Sequence, residues 1–359
     1  MTYNQLKIKR LKNIFLVLII IVSVGCEGEP NLKRNTQEVE IVIFDTDMGS
    51  DCDDVGALAL LHYYVNQGQA EIIGCIYSSG KIPYGAAVTQ AINNYYERPQ
   101  IPIGAYQKDD IGDPKDKMSA EKLARDTAAY GHQIITNQDA QDHLKLNREL
   151  LATSKNKSIT YITVGHTKAL YDLLVSKPDE ISALSGRDLI SQKIKKWVAL
   201  GALKSNNQEG NYTKDWNFFF NGTAPYTEYL VHNFPIPVYY VDAGHKVMTG
   251  KGLVNTPTGN IVRTAYRDWL WNVGNKTLQD QRPSWDLAAV YFAIEGEGDF
   301  LTEAPEGYLD FDAEKGCRWI EQPNSSRQHY ISQKPATDEL FAGYLNQILE
   351  QVTLKNSSQ

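Results

Sequence analysis

The chain has 359 residues, with 36 Lys and Arg against 43 Asp and Glu, for a formal net charge of −7 at pH 7. That balance, with no basic stripe, argues against a nucleic-acid partner. Apart from Cys26, the thiols are Cys52, Cys75 and Cys317, an odd set without metal-ligand spacing, which excludes a disulfide framework.

The N-terminus reads as a leader. Lys7, Lys9, Arg10 and Lys12 precede an uncharged run from Ile14 to Val24 that ends at Gly25-Cys26. A basic region followed by an apolar run too short for a comfortable membrane span marks a signal peptide. The small residue before Cys26 resembles a bacterial lipobox, so residues 1–26 are expected to be a lipoprotein signal with Cys26 lipidated. Export and lipid anchoring in a bacterial cell envelope follow as expectations. Residues 27–40, polar and holding Pro30, would be a tether, and residues 41–352 a single domain. About 320 residues are enough for one large core.

The domain opens on its most informative stretch. Ile41 to Phe44 is short and mostly β-branched, as a buried strand is, and Val55 to Val65 places Ala57, Leu58, Leu60, Leu61 and Tyr64 at helical spacing. Between them lie Asp45, Asp47, Asp51, Asp53 and Asp54, with Gly49 allowing a tight turn. In open α/β sheets ligands bind at the carboxyl ends of strands. Carboxylates gathered there repel one another unless a hard, oxygen-seeking cation such as Ca²⁺ or Mg²⁺ collects them. An EF-hand does not fit: counted from Asp45, Ser50 stands where Gly is needed and Gly56 where Glu is needed. A phosphatase of the haloacid dehalogenase type also begins with Asp-x-Asp after a strand, but would want Thr or Val at Gly49.

Strands and helices then alternate. Ile72–Tyr77 reads as a strand and Tyr84–Tyr96 as a helix; Ile159–Val164 as a strand and Thr167–Val175 as a helix. Apolar runs ending at Leu200 and spanning Val238–Val241 read as further strands. This rhythm predicts an α/β fold, an open and mostly parallel sheet with helices on both faces. The polar loops 108–117 and 204–214 are expected at the ligand side or its rim.

Together these motifs resemble the inosine-uridine-preferring nucleoside hydrolase family, from about Ile41 to beyond Ile294. Its opening Asp-x-Asp-x-Gly-x-Asp-Asp is matched by Asp45, Asp47, Gly49, Asp53 and Asp54, with two extra residues before the Asp pair. Tyr161 to Gly165 resembles the strand that offers a carbonyl to the metal, here that of Val164, although Gly165-His166-Thr167-Lys168-Ala169 departs from the usual Gly-Pro-Leu-Thr-Asn. Gly210-Asn211 with Asp215-Trp216-Asn217-Phe218 resembles the family's ribose clamp, with Asp215 in place of Glu. Ser284-Trp285-Asp286-Leu287-Ala288 resembles the segment whose Asp completes the calcium shell.

The resemblance implies a Ca²⁺ site of Asp47, Asp54, Val164 and Asp286. It also implies ribose binding by Asp53, Asn211, Asp215 and Asn217, with Asp47 as the base that takes a proton from water. Those roles suit the chemistry, since N-glycosidic cleavage passes through a cationic sugar that carboxylates stabilise. Many members carry His before the last calcium Asp. Trp285 stands there instead, as in the purine-specific branch, where it stacks on the leaving base. The expected partner is a small nucleoside substrate, purine favoured; the family also suggests a homo-oligomer. The competing reading is a non-catalytic nucleoside- or sugar-binding lipoprotein with a degenerate site. His132, His166 and His245 fall near loop or strand ends within reach of a pocket, although lone histidines there are more often structural, and Arg282 gains no role from the sequence.

Overall fold

The computed structural model describes residues 38–203 and 211–354. The leader, Cys26, residues 27–37 and most of the 204–214 loop lie outside these. Strands β1 (Glu40–Thr46), β2 (Ala70–Tyr77), β3 (Ile103–Ala105), β4 (Gln141–Asp142), β5 (Ile159–Thr163), β6 (Ile194–Leu200) and β7 (Val238–Asp242) run parallel in one sheet. Glu40, read from the sequence as the last tether residue, is the first residue of β1.

A short antiparallel pair, β8 (Met248–Thr249) with β9 (Arg282–Pro283), lies outside the large sheet. Strand β10 (Leu301–Glu303) leads to the hairpin of β11 (Gly307–Asp312) and β12 (Gly316–Glu321). Finally β13 (Gln328–Gln333) joins β7 in parallel and pairs β10 antiparallel. The nine-stranded order is β10-β13-β7-β6-β5-β1-β2-β3-β4. The sheet is therefore mostly parallel, as the alternation of elements predicts.

Alternation within β1 explains why both faces are covered. Val42 and Phe44 pack into one buried cluster and Ile43 into another, on opposite sides of the strand. The helix Asp53–Asn66 and the helix Trp285–Glu295 are apolar all round and pack against each other. Such a helix is stable only when enclosed, and each fully buried Leu or Val contributes roughly 1.5–3 kcal/mol. Among the described residues no helix is long and apolar enough to cross a membrane.

The order reverses at β1: the chain moves to β2, β3 and β4 on one side, then returns to β5 on the other. A crevice at the carboxyl ends of β1 and β5 is the place such a sheet offers to a ligand. Gly49, with φ +131°, turns the chain there, in the conformation its sequence position anticipates. Gly165 allows the two strand ends to touch, because a Cβ on it would lie 2.5 Å from the Asp47 amide nitrogen. Gly165→Ala is therefore expected to cost about 1–3 kcal/mol through overpacking, read as a fall of several degrees in Tm. An unchanged Tm would show that this close approach is not a constraint.

Candidate active site

One cavity of about 700 Å³ opens at these strand ends. Asp47 and Asp51 reach it from the turn after β1, and Asp53 and Asp54 from the first turn of the following helix. Val164 contributes from the end of β5, and Asp215 and Asn217 from the segment beyond β6. Trp285 and Asp286 enter from the first turn of the Trp285–Glu295 helix. Nine of the positions singled out in the sequence are Asp47, Asp53, Asp54, Val164, Asn211, Asp215, Asn217, Trp285 and Asp286; all but Asn211 line this cavity. Asn211 is exposed and outside the lining.

The carboxylates meet closely. Asp51, Asp53, Asp54 and Asp286 each present an oxygen with all of these atoms within 4.8 Å of one another. The Asp286 amide donates to Asp53 Oδ2 at 3.4 Å, and the Thr46 hydroxyl donates to Asp54 Oδ1. Two helix N-termini supply partial positive charge to Asp53, Asp54 and Asp286. Burial outweighs that help. It pushes the carboxyls of Asp47, Asp53, Asp54 and Asp286 well above the usual range, and neighbouring carboxylates push them further. Burial acts on Asp51 in the same direction, but the Arg282 guanidinium prevails and holds it below the usual range.

A hard divalent cation would relieve this repulsion, and the residues fit one. The group contains only oxygen donors, and the Val164 carbonyl lies on the same cavity. The tightest group differs from the set expected from sequence: it contains Asp51 and Asp53, while Asp47 stands outside it. Asp51 was visible within the acidic run, yet a motif built on Asp53 and Asp54 passed over it.

Three further residues were not legible as parts of the site. Arg282 is only 2 % exposed, with Nη2 2.9 Å from Asp53 and Nη1 3.2 Å from Asp51. Its guanidinium lies over the rings of Trp269 at 4.6 Å and Trp285 at 5.4 Å. Trp269 also lines the cavity. His166, fully buried, sets Nε2 3.3 Å from Asp47 Oδ2, and burial lowers its pKa to about 4, so it is neutral at ordinary pH. By contrast, His132 Nε2 donates to the Ala124 carbonyl at 2.8 Å, a structural contact, and exposed His245 lies 5.9 Å from the Trp285 ring centre.

The residues expected at the sugar divide into two kinds. Asp215 accepts the Ala202 amide at 2.9 Å through Oδ2 and the Phe218 amide at 2.8 Å through Oδ1, which makes it a loop pin. Asn217 donates through Nδ2 to the Val164 carbonyl at 2.6 Å.

No family model matches the sequence, and no curated protein matches it. Solved structures do. An inosine-uridine-preferring nucleoside hydrolase from Bacillus anthracis is 16 % identical, covering 87 % of this chain and 100 % of its own at a TM-score of 0.61. A purine-preferring ribonucleoside hydrolase from Gardnerella vaginalis is 15 % identical, covering 88 % and 99 % at 0.61. The type III effector XopQ, solved with adenosine diphosphate ribose, is 13 % identical, covering 88 % and 94 % at 0.60. The chain has the fold of the nucleoside hydrolases.

The buried carboxyls set a pH dependence. Burial raises Asp215 to about 6 and Asp45 to about 8. A carboxyl whose folded pKa exceeds its unfolded value, near 4, binds its proton more tightly when folded. Its stabilisation is complete below about pH 4 and lost as pH rises through the folded value. The carboxyls of Asp47, Asp53, Asp54 and Asp286 act in the same direction, and Asp51 in the opposite one. In chelator, Tm is expected to fall by about 5 °C or more between pH 5 and pH 8, and excess calcium should remove most of that fall. A rising Tm, or one indifferent to calcium, would contradict this account.

Proposed function

We propose that the protein is a calcium-dependent nucleoside hydrolase, splitting the N-glycosidic bond of ribonucleosides, purines favoured, into ribose and free base. One observation carries the reading: a cavity in a nucleoside hydrolase fold is lined by Asp47, Asp51, Asp53, Asp54 and Asp286 together with Trp285. The lipobox-like Cys26 supports export and lipid anchoring in a bacterial envelope.

Asp47, Asp54, Asp286 and the Val164 carbonyl would hold the cation, with Asp51 and Asp53 beside them. Bound calcium would supply positive charge that gathers sugar hydroxyls and makes a water more acidic. Asp47 accepts the proton of the attacking water. The neutral imidazole of His166 lies 3.3 Å from the Asp47 Oδ2. Asp53 and Asn217 hold ribose hydroxyls, and the surrounding carboxylates stabilise the positive charge that develops on the sugar. The face of Trp285 receives the base.

A second reading, a binding protein without turnover, is favoured by one feature. Both Asp215 oxygens accept from backbone amides, so this carboxylate is held to its own loop as well as facing the cavity. Incubation of the calcium-loaded protein with inosine, adenosine, guanosine, uridine and cytidine separates the two, with released reducing sugar and base as readouts. Binding without release would establish the second reading. In the first, Asp47→Ala lowers kcat about 10³-fold, and Asp54→Ala weakens calcium binding by calorimetry. Trp285→Ala should lower kcat/KM on purines about tenfold; unchanged purine activity would remove the stacking role.

A further inference from the structure

Heterolysis of a C1′–N bond needs two opposite fields, one at each end. The sugar becomes positive, and the base leaves with the electron pair. The acidic group answers the first need. On the base side, among the described residues, the imidazole in ring contact with Trp285 is that of exposed His245, 5.9 Å between ring centres, and the lysines on the cavity, Lys115 and Lys117, are exposed or half-buried. What that wall does have is a buried cation. Arg282 lies between the carboxylates and the two indoles, ion-paired to Asp53 and Asp51 on one side and over Trp269 and Trp285 on the other.

We infer that Arg282 is the positioning residue of the leaving-group side: through Trp285 it sets positive charge behind the departing base, in place of a general acid. The inference rests on the hydrolase reading and adds to it the chemistry of departure. Three observations support it. First, the site is polarised along the bond to be broken, with carboxylates towards the sugar and guanidinium towards the aromatic wall. Preorganised charge of that kind acts where charge develops, without reorganisation. Second, a guanidinium against an indole face draws on the ring's negative quadrupole, leaving the indole a better partner for a flat group that is gaining electrons. Third, the indole nitrogens of Trp269 and Trp285 are buried without hydrogen bonds, so no acceptor among the described residues occupies the N–H edges of this wall.

The step balances without a proton from the protein. Water oxygen bonds to C1′ and gives one proton to Asp47. The C1′–N bond breaks with its electrons on nitrogen, and the base leaves as an anion that is protonated by solvent. A permanent cation is suited to this, because Arg stays charged at any working pH.

The test compares two ribosides, inosine and 4-nitrophenyl β-D-ribofuranoside, whose aglycone is already a stable anion at neutral pH. With calcium bound, as verified by calorimetry, Arg282→Gln is expected to lower kcat on inosine about 10- to 100-fold more than on the nitrophenyl riboside. Arg282→Lys, which keeps the charge, should recover part of that difference. It also decides the matter where Arg282→Gln does not fold, since it lacks the planar fork over the indole and should still lose more on inosine. Equal losses on both substrates would mean that Arg282 only holds Asp53 in place, and the inference would fall while the hydrolase reading stood. A selective loss in His245→Ala, with none in the Arg282 variants, would assign departure to an acid and overturn it too. A calcium-loaded wild type inert to both ribosides would sink the hydrolase reading itself, and this inference with it.

Discussion

Mutual repulsion among buried carboxylates is the constraint to which the rest of this structure answers. Asp47, Asp51, Asp53, Asp54 and Asp286 share one cavity, and four of their carboxyls are pushed upward by burial and by one another. No solvated loop would hold them so. Their positions are imposed by the apolar elements behind them, β1 and the two enclosed helices, whose burial is worth far more than the electrostatic strain at their tips. Two helix N-termini and the Thr46 hydroxyl soften the repulsion without cancelling it. The remaining negative charge is what a hard cation, and then a sugar turning positive, would meet.

Arg282 changes how that charge is distributed. Strand β9 pairs with β8 and fixes the arginine between acids and aromatics, while Ser284, two residues on, bonds Thr249 at 2.6 Å. Asp51 and Asp53 are thereby tied to a cation belonging to the chain, whereas among the described residues Asp47, Asp54 and Asp286 have no Lys or Arg so close. A buried arginine lacking its partners would be costly; here the same ion pairs that pay for its burial also divide the carboxylates into two sets. Replacement of water around the guanidinium by two indole faces keeps that division dry.

Much of this was legible in the sequence because it depends on local pattern. The run Ile41 to Phe44, the spacing from Val55 to Val65 and the recurrence of β-branched segments announce a parallel sheet, and adjacent motifs such as Trp285-Asp286 travel together wherever their helix goes. Residues acting across the fold could not be read that way. Arg282 touches Asp53 from more than two hundred positions away, so its partners follow only from the topology. His166 looked like an irregularity after a strand, and only the contact of β1 with β5 sets it against Asp47. Asp215 lines the cavity as its motif suggested, but its bonds to two backbone amides are set by the loop's fold and no local pattern announces them.

Those bonds have a consequence for the sugar end of the cavity. An Asp where a longer Glu is usual is one methylene short, and at this length the carboxylate satisfies amides of its own loop. Beside it on the cavity is Asn217, whose amide is anchored on the Val164 carbonyl. A carbonyl oxygen has two lone pairs, so Val164 can accept from Asn217 and still face a cation. The residue that would grip the sugar and the atom that would grip the metal are joined by a single hydrogen bond. Filling one site would therefore order the other, which couples cation binding to substrate binding without any moving part.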